Sequence, residues 1–162
     1  MIRFSQTQQF GNVGEAWVQE QLSDRGYDFE VPADYQSRSC DVIVEGLCVE
    51  VKIARKTLRR IYRKDGSYRL HTRWQWHIKN TIPEDRETLF ILIAVDREGY
   101  KYPFIVPGSV INEHRHISIT SHPSEYCGWL AQYLNRWDMV EYLINGVYQN
   151  GGPLFHELER VA

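Results

Sequence analysis

Cys40-Asp41-Val42-Ile43-Val44-Glu45-Gly46-Leu47-Cys48-Val49-Glu50-Val51-Lys52-Ile53-Ala54 reads as two apolar, β-branched runs flanking Glu45-Gly46. That pattern specifies a tight hairpin whose second loop residue must accept a positive φ. Pairing Val44 with Leu47 sets Val42 against Val49 and Asp41 against Glu50. Because side chains alternate along a strand, Lys52 shares the face of Glu50, while Val42, Val44, Leu47, Val49 and Val51 form an apolar face. Carboxylates at directly opposed positions repel. A hard divalent cation such as Mg²⁺, which takes oxygen ligands, would offset the repulsion, and Lys52 beside it would stabilise an attacking hydroxide or charge developing on a phosphate. The competing reading is a solvated Glu-x-Lys pair on an ordinary hairpin, since so short a pattern specifies little by itself.

Upstream, the apolar residues Phe10, Val13, Trp17, Val18 and Leu22 recur at helical spacing and predict a helix over residues 8–25. Asn12 is a candidate cap, and residues 23–26 end the helix. Glu15 borders the apolar stripe and could reach over the sheet edge. An acid in a first turn also complements the helix dipole without any further role. A short strand at residues 27–31 and a loop at 32–39 lead into the hairpin.

Downstream, nine Lys or Arg (Lys52, Arg55, Lys56, Arg59, Arg60, Arg63, Lys64, Arg69, Arg73) fall within 22 positions against one acid, Asp65, although the whole chain carries a formal charge of −2. One-sided basic clustering of this kind is the electrostatic footprint of nucleic-acid binding. Asp65-Gly66 marks a turn, so the stretch is a hairpin or a helix-and-turn excursion. Residues 73–78 alternate, with Trp74, Trp76 and Ile78 on one face and Gln75 and His77 on the other. The Trp residues are read as core. Gln75 and His77 are candidates for phosphate or base-edge contact.

The continuous apolar run at 89–95 predicts a strand buried on both faces. A turn at 96–99 and a strand at 101–106 follow, then an edge strand at 116–120. Pro123 opens a helical region carrying Tyr126, Leu130, Tyr133 and Leu134, which extends through Trp137 towards Leu143. The aromatic residues between 129 and 148 suit either a helical core or an oligomer interface. Asn150-Gly151-Gly152-Pro153 reads as a loop in the tail.

The 162 residues are read as one α/β domain, 1–162, with no repeat or linker. No apolar run approaches the roughly 18 residues of a membrane span. The first ten residues lack a signal-peptide pattern, and three cysteines are an odd number without metal-type spacing. Both point to an intracellular protein, cytoplasmic or nucleoid-associated. In the register above Cys40 and Cys48 fall on opposite faces, so they are read as unpaired small core residues. His114, His116 and His122 lack companion ligands at zinc spacing. There is no phosphate-binding glycine loop, nucleophile elbow or calcium loop.

A helix bearing an acid, a strand bearing Asp and a following strand bearing Glu-x-Lys resembles the PD-(D/E)XK nuclease superfamily in order and type. The residues concerned are Glu15, Asp41 and Glu50-Val51-Lys52. Gly11-Asn12-Val13-Gly14-Glu15, with Leu22 and Gly26 after it, is similar to the first helix of the Holliday-junction resolvase branch and of small bacterial and phage nucleases. Tyr102-Pro103-Phe104-Ile105-Val106-Pro107 resembles a late strand of uncharacterised members. The resemblance spans about residues 10–107 and departs from the family pattern at Cys40, where a proline nominally precedes the aspartate.

The resemblance implies a restriction-endonuclease-like central mixed β-sheet flanked by helices, with the basic excursion after the hairpin. Asp41 and Glu50 would bind Mg²⁺, or Mn²⁺ in its place, with the Val51 carbonyl and Glu15 as further ligands. Lys52 would orient or help deprotonate the attacking water. DNA would lie on Arg55, Lys56, Arg59, Arg60, Arg63, Lys64, Arg69, Arg73, Gln75 and His77. The activity implied is a metal-dependent DNA endonuclease of homing, restriction, resolvase or repair type, assembled as a dimer or tetramer because two strands must be cut. The alternatives are a non-catalytic nucleic-acid-binding module on the same fold and a domain that recognises acidic protein partners.

Overall fold

In a computed structural model, residues 5–32, 40–78, 88–111 and 114–145 are described. The hairpin forms in the expected register: β1 (Val42–Val44) pairs antiparallel with β2 (Leu47–Arg55), Val44 opposite Leu47 and Val42 opposite Val49. Glu45 and Gly46 have φ of 47° and 84°, the two positive values a two-residue type I′ turn requires. Beyond the turn β2 continues past β1 and pairs in parallel with β5 (Thr88–Val95), whose other edge takes β6 (Lys101–Pro107) antiparallel. The resulting mixed sheet has the order β1-β2-β5-β6. Leu89 to Ala94 are buried throughout, as a strand covered on both faces demands.

Helix α1 (Gln6–Asp24) starts earlier than Asn12 suggests. Ser5 accepts from the Gln8 amide while the Gln8 side chain accepts from the Ser5 amide, a capping box that satisfies two end donors at once. Val18 and Leu22 are fully buried. At Gly14 the helix approaches β2 so closely that an added Cβ would sit 3.1 Å from the Ile53 Cβ.

The basic excursion is a β-ribbon, not a helix and turn. Strands β3 (Thr57–Tyr62) and β4 (Tyr68–His77) pair from Thr57 opposite Arg73 to Tyr62 opposite Tyr68, with Gly66 at φ 85° in the turn. Only Lys56 separates β2 from β3. The inner half of β4 also pairs with β7 (His116–Ile119), giving a second sheet of order β3-β4-β7. Trp74 and Trp76 anchor it: both are buried, and their indole N–H groups donate to the Val95 and Ile93 carbonyls at 2.9 and 3.2 Å. They are core, as expected.

The C-terminal region departs from the sequence reading. After the short α2 (Gly108–Ile111) and β7, residues around Tyr126 form turns, and Ala131–Tyr133 is a single 3₁₀ turn. Leu134 is extended and bridges to Phe104, and Asn135 takes φ 57° before α3 (Asp138–Ile144). A 3₁₀ turn brings residues three apart onto one side, so Leu130 and Tyr133 are both buried without the α-helix their spacing suggested. Residues 27–31 likewise make an isolated bridge, Glu30 with Ile43, instead of a strand. Trp137, Met139, Val140 and Leu143 are core. The expected loop at 32–39, beyond its first residue, and the tail from 146 lie outside the described residues. Among the described residues no helix is long and apolar enough to cross a membrane.

Candidate active site

Three elements bring charged groups to the edge of β2 beyond its pairing with β1. Glu50 and Lys52 project from one face of β2 and form an ion pair of 2.9 Å. Glu50 is 8% exposed. Removing a carboxylate from water disfavours its charged form, and this burial outweighs Lys52 so that the Glu50 pKa is raised.

Asp41 lies one residue before β1 and is not a ladder partner of Glu50 as the simple register had it. Its amide donates to the Val49 carbonyl at 3.0 Å, and its carboxylate Oδ2 accepts from the Val51 amide at 2.7 Å. The Val51 amide points to the edge that β1 has vacated. The Val51 carbonyl is directed the same way, since a strand residue's N–H and C=O face the same neighbour.

The chain bends at Asp41, which breaks the alternation before β1, and with it the cysteine reading fails. Cys40 and Cys48 are disulfide-bonded, their Cα atoms 5.3 Å apart. Cys127 is free and exposed. With a disulfide present, the cysteine count loses its bearing on compartment.

Glu15 completes the cluster. The close approach of α1 at Gly14 sets the next side chain against Asp41, with which it shares a hydrogen bond. Burial first, then the adjacent Asp41 carboxylate, push the Glu15 pKa from 4.5 up to about 7, with Lys52 opposing. Below about pH 7 Glu15 is mostly protonated and donates to the Asp41 carboxylate. The dipole role considered for Glu15 does not apply, because α1 begins nine residues earlier.

Glu15, Asp41, Glu50 and Lys52 thus share one site, with three carboxylates against one ammonium. Among the described residues no three His, Cys, Asp or Glu side chains stand ready to hold a metal ion. Lys52 occupies Glu50 and the Val51 amide occupies Asp41.

The basic residues divide by the ribbon's pleat. Directly opposed residues share a face, so Arg59, Arg69 and Arg73 lie together with His71, while Arg60 lies on the other side with Leu58, Tyr62, Tyr68 and Leu70. Arg60 stacks on Tyr68, 4.9 Å from the ring centroid. A groove of about 600 Å³ runs between the first turn of α1 and the ribbon, lined by Arg55, Arg59, Arg73, Gln75 and His77. Arg55 is held there over the Phe10 ring at 4.0 Å. Lys56 stands over Trp74 at 5.6 Å and lines a second basic recess with Arg97 and Lys101. Arg63 and Lys64 sit exposed at the ribbon tip. Gln6, Thr7 and Phe10 on the wall of the groove were not foreseen. Their signal was the unrecognised Ser5 cap, which places them on the first helical turns.

This fold has a known counterpart. The chain is similar to a bacterial homing endonuclease, I-Ssp6803I, with a TM-score of 0.57 over 93% of this chain and 100% of that one. At 15% identity the likeness is one of fold. No protein-family model matches the sequence, and no curated protein matches it.

Proposed function

We propose that this chain is a Mg²⁺-dependent DNA endonuclease of the PD-(D/E)XK type that hydrolyses phosphodiester bonds. The observation that carries the reading is the convergence of Glu15, Asp41, Glu50 and Lys52 on one sheet edge, next to a groove lined by arginines. The fold likeness to a homing endonuclease supports it and makes DNA the expected substrate. The donor set fits a hard cation: three carboxylates and the Val51 carbonyl supply oxygen ligands only, and their excess negative charge would be neutralised.

A divalent cation bound there would stabilise charge on the scissile phosphate and lower the pKa of a nucleophilic water. The remaining work falls to the chain itself. Glu50 and, once deprotonated, Glu15 would hold the cation, and Lys52, now paired with Glu50, would be the ammonium that holds the attacking water. Arg55, Arg59 and Arg73 neutralise backbone phosphates along the groove, and a two-stranded ribbon has the width that the DNA major groove admits. Cutting both strands calls for two such sites, hence a homo-oligomer.

The test is cleavage of linear, branched and single-stranded DNA with Mg²⁺ or Mn²⁺ by wild type and by Glu50→Gln. Wild type cuts and the variant does not. Undiminished cutting by the variant would remove the site from the mechanism. The closed Glu50–Lys52 ion pair favours a second reading, a metal-independent DNA-binding module, in which both charges already satisfy each other. Calorimetric titration with Mn²⁺ separates the two, because the module binds DNA but no metal.

A further inference from the structure

Of the three carboxylates, Glu15 is fixed by α1 and Glu50 by β2, whereas Asp41 stands outside the ladder, one residue before β1. Its place depends on its amide bond to Val49, its carboxylate bond to the Val51 amide, the contact with Glu15, and its neighbour Cys40. Cys40 is joined to Cys48. Cys48 is buried, 5% exposed, and paired to Ile43 on one edge of β2 and to Thr88 on the other. The disulfide therefore ties the residue preceding Asp41 to the strand that carries Glu50, two positions before it.

We propose that the Cys40–Cys48 disulfide is a positioning clamp for Asp41, and that its reduction by a dithiol lowers the affinity of the carboxylate cluster for a divalent cation. The metal half of this proposal rests on the nuclease reading above; the clamp half does not. In the reducing step a thiolate of the dithiol attacks one cysteine sulfur and the S–S bond breaks. The resulting mixed disulfide is then resolved by the second thiol. Two electrons pass from the dithiol, which becomes a disulfide, and Cys40 and Cys48 each take up a proton. Without the bond, Cys40 is released from β2, and the Asp41 backbone loses the constraint that turns its amide to Val49 and its carboxylate to Val51. Cys40 and Cys48 touch neither substrate nor metal in this scheme. They act through Asp41, as outer partners that orient a ligand do elsewhere, where their loss costs about tenfold to a hundredfold in metal affinity.

The experiment uses the full chain purified without reductant, and the same protein after complete reduction by dithiothreitol. Two quantities are read in each state: hydrogen exchange at the Val51 amide in the absence of metal, and Mn²⁺ affinity by calorimetry. Reduction is expected to speed Val51 exchange and to weaken Mn²⁺ binding by about tenfold to a hundredfold. Cys48→Ser should reproduce the reduced state and ignore dithiothreitol, while Cys127→Ser should respond as wild type does. Non-reducing peptide mapping that finds Cys40 and Cys48 both as free thiols overturns the clamp. So does reduction that leaves Val51 exchange and Mn²⁺ affinity unchanged. If Val51 exchange quickens on reduction while neither state binds Mn²⁺, the clamp stands and the metal-dependent reading is what fails.

Discussion

Replacing Glu15 with Gln keeps the shape of the side chain and its hydrogen-bonding capacity but removes the charge. The result should be a metal-free protein that is more stable than wild type in mild alkali and no different in mild acid. In the unfolded chain Glu15 ionises near 4.5, whereas in the fold its pKa is about 7. Between those values the folded protein binds a proton that the unfolded chain has lost. Its contribution to stability is therefore fully present below about pH 4.5 and is lost as the pH rises to about 7. The difference of the two values, 7 − 4.5, corresponds to about 3 kcal/mol at 1.36 kcal/mol per unit. Glu15 is only half-buried, and solvent screening brings that down to about 1–2 kcal/mol. Urea unfolding in EDTA at about pH 4.5 and about pH 8 measures it: near-equal stabilities at the lower pH, and Glu15→Gln ahead by about 1–2 kcal/mol at the higher. A variant that is less stable at the higher pH, or equally shifted at both, refutes the claim that burial and Asp41 hold Glu15 in its protonated form. Adding Mg²⁺ at the higher pH should stabilise wild type more than the variant, since Gln supplies no charge to the cation.

Lys52→Ala and Asp41→Ala should each lower cleavage by about a hundredfold or more, the scale seen when one charge-stabilising group is removed. Circular dichroism should show the folds intact, and a Lys52 variant that cuts normally would exclude the ammonium from the chemistry. On the proposed function, Arg55→Ala, Arg59→Ala and Arg73→Ala together should flatten the plot of log affinity against log salt by about 3, at roughly 0.9 per phosphate. Arg60→Ala, on the other face, should leave that slope closer to wild type. Gly14→Val should push α1 away from Ile53 and destabilise the protein by about 1–3 kcal/mol, the usual cost of overpacking, with a matching fall in melting temperature by calorimetry.

Local chemistry was what could be read from the chain. Glu45-Gly46 dictates its own turn, the apolar run at 89–95 can only be a covered strand, and the alternation around Trp74 and Trp76 announces a buried face. Asp41, Glu50 and Lys52 stand out through the alternation of the hairpin, whereas Glu15 on spacing alone reads as a helix-dipole acid and joins them only through the family resemblance; the fold brings the four near one another. What escaped the reading depends on single backbone rotations or on distant partners. The bend at Asp41 breaks the alternation between Cys40 and β1, which hid the disulfide and sent the carboxylate to Val51 instead of across to Glu50. In the C-terminal region a 3₁₀ turn and an α-helix leave the same mark at residues three apart, so Leu130 and Tyr133 could not discriminate between them. The α1 start was misplaced for a simpler reason: Ser5 and Gln8 form a capping box ahead of the first apolar residue of the stripe.

Between the central strand and the ribbon the chain has no slack, because Lys56 alone separates β2 from β3. An extended path from Lys52 to Arg59 covers seven steps, roughly 23 Å at about 3.3 Å per residue. On B-form DNA that length is about seven base pairs at roughly 3.4 Å each. On the proposed function, the strand that presents Glu50 and Lys52 is then also a ruler. Lengthening the join by two residues, which keeps the pleat in phase, should move the cut relative to the arginine-contacted phosphates without changing the chemistry of either end.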